Sequence, residues 1–556
     1  MNGIVLRRPV ATVVVLYAVA LLLWQRDWLL SGEMYAEMAT NYFANARSGD
    51  AAAMLFSLDS GYWPLPQRLL SDAVFFTRLN AATVPYAYMA IAVVGAGLLA
   101  GSFANRLFRP LVRCDLVRVG VALILLCSLD METRGFINVT YLVVVFAVAV
   151  MALVCLERRP VLPWWCWSLP VLMVSKPHLL VLTPMAVVAA VLARGRARWL
   201  MVGMVAAGLV QTGVLAMSAR AGQEARFNLP GLSLATKLRD AVYYGFGLAG
   251  GGAVGPWSFQ PGGRRWLLAY GVVVCTVALI VWWQARGKAW AGGTWLMLGG
   301  LALGVGTGAF NALTLTSFWD PDFGPLGTFG IYRHRVTALA GGLLFVAGAC
   351  EVLSTWLRSR EASAARSGRV WSAALLAMWL WGTASYIYPQ NIKVPAVYPL
   401  TGVGNWQIMA RAIDVPGGTA CVPIDPLGWS FQQRCVALTW VSPPTGAVPL
   451  GAGVTVQAPG DVPKLHLLAL GVSVRPMVAT TQAVRLRAVV EHAGGSSVFV
   501  GDAALRPEGV QVLLMGEDSE GVPDVRSARI ESDTPVMLFQ RGEGAAAVPT
   551  VAWMGR

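Results

Sequence analysis

The sequence predicts an all-α polytopic membrane bundle of about eleven transmembrane helices, followed by a C-terminal β-rich domain outside the membrane. Three observations lead there. Of 556 residues, 56% are hydrophobic and only 13% charged, with a mean hydropathy of +0.58. A soluble domain carries about 25% charged residues. Apolar stretches near the roughly 20 residues needed to cross the hydrocarbon recur up to Tyr388 and then stop. Beyond Tyr388 the chain turns to short β-branched runs broken by Gly, Pro and Asp.

In chain order the expected spans are Pro9–Trp24, Ala82–Phe103, Val119–Leu129, Asn138–Leu156, Val161–Val174 with Pro177–Ala193, Trp199–Ser218, Trp266–Trp283, Thr294–Leu315, Val336–Leu353 and Val370–Tyr388. The first is followed by further spans and has no small-residue cleavage site, so it reads as a retained helix. Val119–Leu129 and Val161–Val174 are short for a full crossing, which suits outer ends bordering a water-filled cavity. The net charge of +14 is gathered at alternate boundaries: Arg7 and Arg8, Arg106 to Arg118, Arg158 and Arg159, Arg194 to Arg198, Arg286 and Lys288, and Arg358 to Arg369. Intervening loops carry Asp27, Glu33, Glu37, Asp50, Asp59 and Asp72. That alternation is the positive-inside pattern, with the N-terminus cytoplasmic and the C-terminal domain external. It accounts for the basic pI without nucleic-acid binding.

Three external loops follow from this topology. Residues 26–80 read as short interfacial helices. The loop from Arg220 to Arg265 carries Lys237-Leu238-Arg239-Asp240 and a glycine-rich stretch, Gly247 to Gly255, which reads as mobile. A third holds Trp319-Asp320-Pro321-Asp322 and leads into Tyr332-Arg333-His334-Arg335. The division is thus a transmembrane domain, 1–388, and an external domain, 389–556, plausible as a sandwich of antiparallel strands such as Gly453-Val454-Thr455-Val456 and Val498-Phe499-Val500. Of eight cysteines, only Cys421 and Cys435 lie in this tail. An oxidising compartment would join them in a disulfide; two buried thiols are the alternative. No CxxC or HExxH is present.

Glu33 is the ionisable group with most to explain. It follows the first apolar span directly, where a carboxylate is costly unless it meets a partner or does chemistry. Glu37, four residues on, shares its face if the segment is helical. The runs GEMYAEMATNYFANARSGD and DSGYWPLPQRL resemble the first external loop of the C-superfamily of integral-membrane glycosyltransferases, the GT-C fold, which includes protein O-mannosyltransferases and aminoarabinose transferases. The resemblance covers the topology of about the first 390 residues through short motifs. It implies a bacterial inner-membrane enzyme that moves a sugar from a polyprenyl-phosphate donor to a glycan, lipid-linked glycan or protein acceptor such as a pilin, on the periplasmic side and with inversion. By position Glu33 matches the family's first-loop acid and would be the general base. Here the family's paired acids are reduced to Gly32-Glu33, which leaves open whether Glu33 acts alone or with Asp27 or Glu37.

Such chemistry needs a carboxylate to take the proton of an acceptor hydroxyl and cations to hold the leaving phosphate. Lys176, in Ser175-Lys176-Pro177-His178, is one cation; a lysine snorkelling to the membrane edge is the alternative. Arg333 and Arg335, beside Tyr332, stand outside the positive-inside trend, and the family often has an arginine next to an aromatic at this boundary. Related transferases place polar residues in the second external loop, so Glu132 and Asn138 would orient sugar or acceptor; a local salt bridge of Arg134 with Asp130 or Glu132 is equally open. Tyr62 and Trp63 offer rings for a sugar. Asp320 and Asp322 could hold a divalent cation, magnesium or manganese, although the proline between them favours a rigid turn. A flippase for a lipid-linked glycan is the main rival; it would set polar groups inside spans and show related halves. An O-antigen ligase, an acyltransferase and a binding scaffold are further rivals.

Overall fold

The computed structural model describes residues 6–47, 51–220, 234–259, 266–314, 335–360, 365–385, 405–414, 420–424, 429–433, 448–451, 453–458, 466–477, 483–505, 510–516, 521–538 and 551–555. The chain forms two compact units. One comprises Met1–Trp24, Leu55–Leu70 and Ala90–Val394; the other comprises Gln25–Met54, Ser71–Met89 and Pro395–Arg556. The second unit therefore takes in much of the first loop as well as the tail.

Unit one is helical. Six helices among the described residues are long and apolar enough to cross a membrane: Val84–Phe108, Val139–Glu157, Arg196–Ser218, Leu267–Gln284, Ala291–Leu313 and Val336–Ser359. A seventh is added if the bent pair Trp164–Met173 and Pro177–Leu192 is one span. The tally of about eleven crossings is thus not confirmed. Pro9–Trp24 and Val370–Ser385 are apolar but shorter, and Asp115–Cys127 has only 13 residues. Val139–Glu157 is 89% buried and forms the middle of the bundle, whereas Leu267–Gln284 is only 17% buried and presents Val272, Val273, Val277, Leu279 and Ile280 outward. An apolar helix can expose such a face where the surroundings are lipid.

The glycine-rich stretch expected to be a mobile loop is instead a helix, Leu234–Val254, packed against Leu267–Gln284, Ala291–Thr314 and Val336–Arg360. A Cβ at Gly342 would strike the backbone of Gly252, and one at Gly300 the backbone of Gly341. Absent side chains let the backbones touch, which is how membrane helices gain close van der Waals contact without a hydrophobic drive. Gly293 meets Gly348 in the same way, seven residues from the Gly300–Gly341 contact and running antiparallel.

The arginines that follow the helix Val84–Phe108 are partly structural. Asp115 pairs with Arg109 (2.9 Å) and with the fully buried Arg118 (2.6 Å), and it accepts from the Leu6 amide. Glu351 accepts from the Arg113 amide (2.9 Å) and Thr355 (2.9 Å).

Among the described residues of unit two the strands form one nine-stranded antiparallel sheet and a separate two-stranded one, not the two facing sheets of a sandwich. The pair is β1 (Ala420–Ile424) with β2 (Trp429–Gln433). The large sheet contains β3 (Val448–Pro449), β4 (Val454–Gln457), β5 (Leu467–Pro476), β6 (Ala483–His492), β7 (Gly495–Ala504), β8 (Val510–Gly516), β9 (Val525–Ser532), β10 (Val536–Leu538) and β11 (Val551–Gly555). Its order is β3-β10-β5-β8-β7-β6-β9-β4, and β11 continues beside β5 where β10 ends. Alternation sets the faces: Val484, Leu486, Ala488 and Val490 are buried with Val512, Leu514 and Ile530, while Arg485 and Arg487 face out. One curved sheet around one apolar cluster suffices because its inner face closes on Leu470, Phe499 and Trp553.

Candidate functional site

Two groups of predicted residues take shape, one in each unit. In unit one, the first is built on a tight turn. Asp59 and Tyr62 exchange backbone hydrogen bonds (2.8 and 3.0 Å) across Ser60 and Gly61, both at positive φ (49° and 80°). That is the geometry a two-residue hairpin turn demands, and it sets the two side chains opposite each other. The Tyr62 hydroxyl donates to Asp59 Oδ2 (3.1 Å) and accepts from Lys176 Nζ (2.7 Å), with the ammonium also 5.0 Å from the Tyr62 ring centre. Lys176 is 5% exposed, so it does not snorkel.

Lys176 sits where the helix pair bends by 119°. Pro177 forces the residue before it out of helical geometry, and Lys176 is extended at φ −145°, ψ 141°. The break therefore aims a lysine inward from an otherwise apolar element. The segment after Tyr62 ties this break to the second loop. Leu65 N–H donates to the Val174 carbonyl (3.0 Å), and Gln67 Nε2 donates to the Ile137 carbonyl (3.1 Å) and Thr140 Oγ1 (2.7 Å). The His178 ring lies edge-on to Tyr141 (5.6 Å) and Phe310 (5.1 Å).

In that second loop Asp130 caps the short helix Met131–Arg134 by accepting from the Thr133 amide (2.8 Å). Asn138 Nδ2 donates to the Glu132 carbonyl (3.1 Å), so Glu132 and Asn138 are brought together, both buried. The local salt bridge open to Arg134 is not made. Arg134 is 4% exposed, and its Nε and Nη1 have no hydrogen-bond partner. Among the described residues no ion pair to Arg134 forms, and buried guanidinium donors without partners are costly, so they are available to an anion. Trp63 is fixed by its indole N–H on the Leu55 carbonyl (2.8 Å) and by stacking on Phe56, which leaves less of the ring for a sugar than expected. Arg335 is buried, at 1% exposure. Tyr332, Arg333, Asp320, Asp322 and Cys435 lie outside the described residues, as does the side chain of Cys421.

In unit two, Glu33 is 4% exposed. Its Oε2 accepts from the Trp406 amide (2.9 Å) and its Oε1 from the Gln407 amide (3.4 Å). These amides open the helix Asn405–Asp414, so the carboxylate caps a helix more than 370 residues away in sequence. The same helix is tied at several further points. The Trp406 indole donates to the Ala81 carbonyl (2.7 Å), Gln407 Nε2 donates to the carbonyls of Gly32 and Ala82, and Asp414 accepts from the Ala81 amide (2.7 Å) and pairs with Arg47 (2.9 Å). Trp406 is fully buried and meets Phe43 and Phe431 edge-on, each at 5.3 Å. Gly32 has φ +66°, and a side chain there would collide with Gln407 and Tyr86. Burial pushes the Glu33 carboxyl from 4.5 up to about 7, against the opposing pull of the two amide bonds. Glu37 is half-buried at the start of the π-helix Met38–Phe43.

Asp59 and Arg134 entered the sequence reading only as a loop acid and a local salt-bridge candidate, and Gln67 and Trp406 were not singled out. The Asp-Ser-Gly turn signal pointed to the first; nothing local to Gln67 or Trp406 could have. Among the described residues no cluster of His, Cys, Asp or Glu could hold a metal ion. No family profile, curated protein or solved structure matches the chain.

Proposed function

We propose that the chain is an inner-membrane glycosyltransferase that takes its sugar from a polyprenyl-phosphate donor on the periplasmic side. The observation that carries the proposal is Lys176: a buried lysine at a break between apolar helices, oriented through Tyr62 by Asp59. A cation held away from water acts strongly on a developing phosphate charge. Arg134 lies in the loop that Gln67 ties to the same break, and it keeps donors for the same anion. In this reading the two cations, with Arg335, hold the leaving phosphate, and Tyr332 and Arg333 belong to the same boundary. Glu132 and Asn138 orient sugar or acceptor.

Glu33 is the proposed base. A base at neutral pH works best with a pKa near 7, which is where burial puts this carboxyl. Its Oε1 is held only at 3.4 Å by Gln407, so an acceptor hydroxyl can compete for it. In the proposed reaction the acceptor hydroxyl gives its proton to the base, the hydroxyl oxygen bonds the anomeric carbon, and the polyprenyl phosphate departs with inversion. The bent pair and the shorter apolar helices supply crossings beyond the six long spans, with the tail periplasmic.

The test is a transfer assay with polyprenyl-phosphate sugars in proteoliposomes. Lys176→Met is expected to abolish transfer while Tyr62→Phe reduces it, both folding as wild type. Wild-type turnover in Lys176→Met removes the lysine from the reaction. Translocation of the intact lipid-linked sugar, with no glycosidic bond made, would replace the reading by a flippase.

A further inference from the structure

Unit two contains a cavity of about 590 Å³ that the transfer chemistry does not use. Phe43, Val74, Phe75, Val84 and Leu79 make its walls apolar, and Arg47 and Arg78 also line it. Beside it the chain leaves a large apolar surface in the open: Phe76 is 70% exposed, and Phe75 and Leu79 are each 41% exposed. The two hydroxyls in the wall are already committed. Ser71 Oγ donates to the Tyr42 carbonyl (3.0 Å) and lies 2.8 Å from the Tyr88 hydroxyl. A peptide or a sugar entering here would bury amides or hydroxyls with little to pair them, a costly arrangement. An alkyl chain would not.

The two charged side chains that line the cavity are both arginines. Arg47 is anchored by Asp414 and lies over the Phe43 ring at 5.2 Å, so its position is fixed. Arg78 is exposed and follows the apolar ridge directly. An apolar floor, a projecting aromatic ridge and an arginine at the edge are complementary to one kind of molecule, an amphiphile with an anionic head. Among the described residues six helices are long and apolar enough to cross a bilayer, and one of them, Val84–Phe108, starts at a residue of the cavity wall. The volume falls in the range, roughly 300–1,000 Å³, of sites that enclose small ligands.

We propose that this cavity is a binding site for a single anionic phospholipid, one acyl chain among Phe43, Val74 and Val84 and the headgroup phosphate on Arg78. Phe75 and Phe76 seat the surrounding surface in the bilayer interface, where aromatic side chains are favoured. The site is separate from the proposed transfer chemistry and stands whether or not that reading holds.

The experiment uses the full-length protein in nanodiscs containing phosphatidylglycerol with a photoactivatable acyl chain, and maps adducts by mass spectrometry. Labelling is expected in the peptides covering Phe43–Arg47 and Ser71–Tyr88. An excess of unlabelled phosphatidylglycerol should compete it away and phosphatidylcholine should not. Arg78→Gln, an exposed change that leaves the fold intact, should lower this labelling about five-fold, the loss expected for one arginine at a lipid surface. Val74→Trp, which places a bulky ring in the path of the acyl chain, should lower it further. Equal competition by the two lipids, or labelling unchanged in Arg78→Gln, overturns the proposal. A dimer that Phe76→Ser dissolves would also overturn it, by assigning the ridge to a second copy of the chain.

Discussion

Replacing Glu33 by Gln separates what this carboxyl does for the fold from its proposed part in transfer. The folded protein holds its pKa at about 7 against 4.5 for an unperturbed glutamate. A group whose folded pKa is raised binds its proton more tightly when folded. Its stabilising contribution is complete below about 4.5 and is lost as pH rises through about 7. At about 1.36 kcal/mol per pH unit, that span amounts to about 3 kcal/mol. Gln cannot ionise, so Glu33→Gln should lack this slope while its amide oxygen still accepts from Trp406. At pH 8 the variant is expected to be the more stable by up to about 3 kcal/mol, several degrees in the unfolding midpoint of a domain this size. At pH 4.5 the two should melt together. Thermal unfolding in detergent between pH 4.5 and 8.5, followed by intrinsic fluorescence, reads both limits. The same variant should lose about 10²- to 10⁴-fold in transfer, the usual weight of a general base. A wild-type pH slope in Glu33→Gln, or a variant less stable at pH 8, would refute the burial argument. Full activity would refute the base.

Other outcomes are equally definite. Arg134→Met removes a buried charge with two unpartnered donors, and should raise the midpoint of the ligand-free protein, on the order of 1–4 kcal/mol; thermal stabilisation by added polyprenyl phosphate should weaken in the same variant. Gly342→Val drives a side chain into the Gly252 backbone and should cost at least about 1–3 kcal/mol or prevent insertion. Gly213→Ala, with nothing within 4 Å, should instead stabilise its helix by about 0.5–1 kcal/mol, which thermal melts of the two variants will show. Trp406→Ala empties a fully buried site between Phe43 and Phe431 and should cost about 3–5 kcal/mol, seen as faster hydrogen exchange in Asn405–Asp414.

Which parts of this molecule were legible in the sequence follows from the range of the interactions involved. The β-rich tail was legible because alternation is local: Val484, Leu486, Ala488 and Val490 announce a half-buried strand without reference to any partner. Whether such strands form one sheet or two is a matter of long-range pairing, and the expected sandwich proved to be a single sheet. Hydropathy found the spans made of Val, Leu and Ala. It failed at Leu234–Val254, because glycine reads as a loop signal in isolation and becomes a packing device only when another backbone arrives, here Gly342 at Gly252. Lys176 was legible for the opposite reason: the proline after it fixes its backbone locally, and a lysine at such a break has few apolar uses. Glu33 shows the limit most sharply. Its place after the first apolar helix marked it as a group that either meets a partner or does chemistry, and a partner is what the structure supplies. The partner is a pair of amides at Trp406 and Gln407, which no pattern near residue 33 encodes. A carboxyl that caps a distant helix and titrates near neutrality has one oxygen tightly held and one loosely held. The tight bond answers to folding, and the loose one is where the proposed base would meet an acceptor; a substitution that spares the first and removes proton uptake at the second is what tells the two apart.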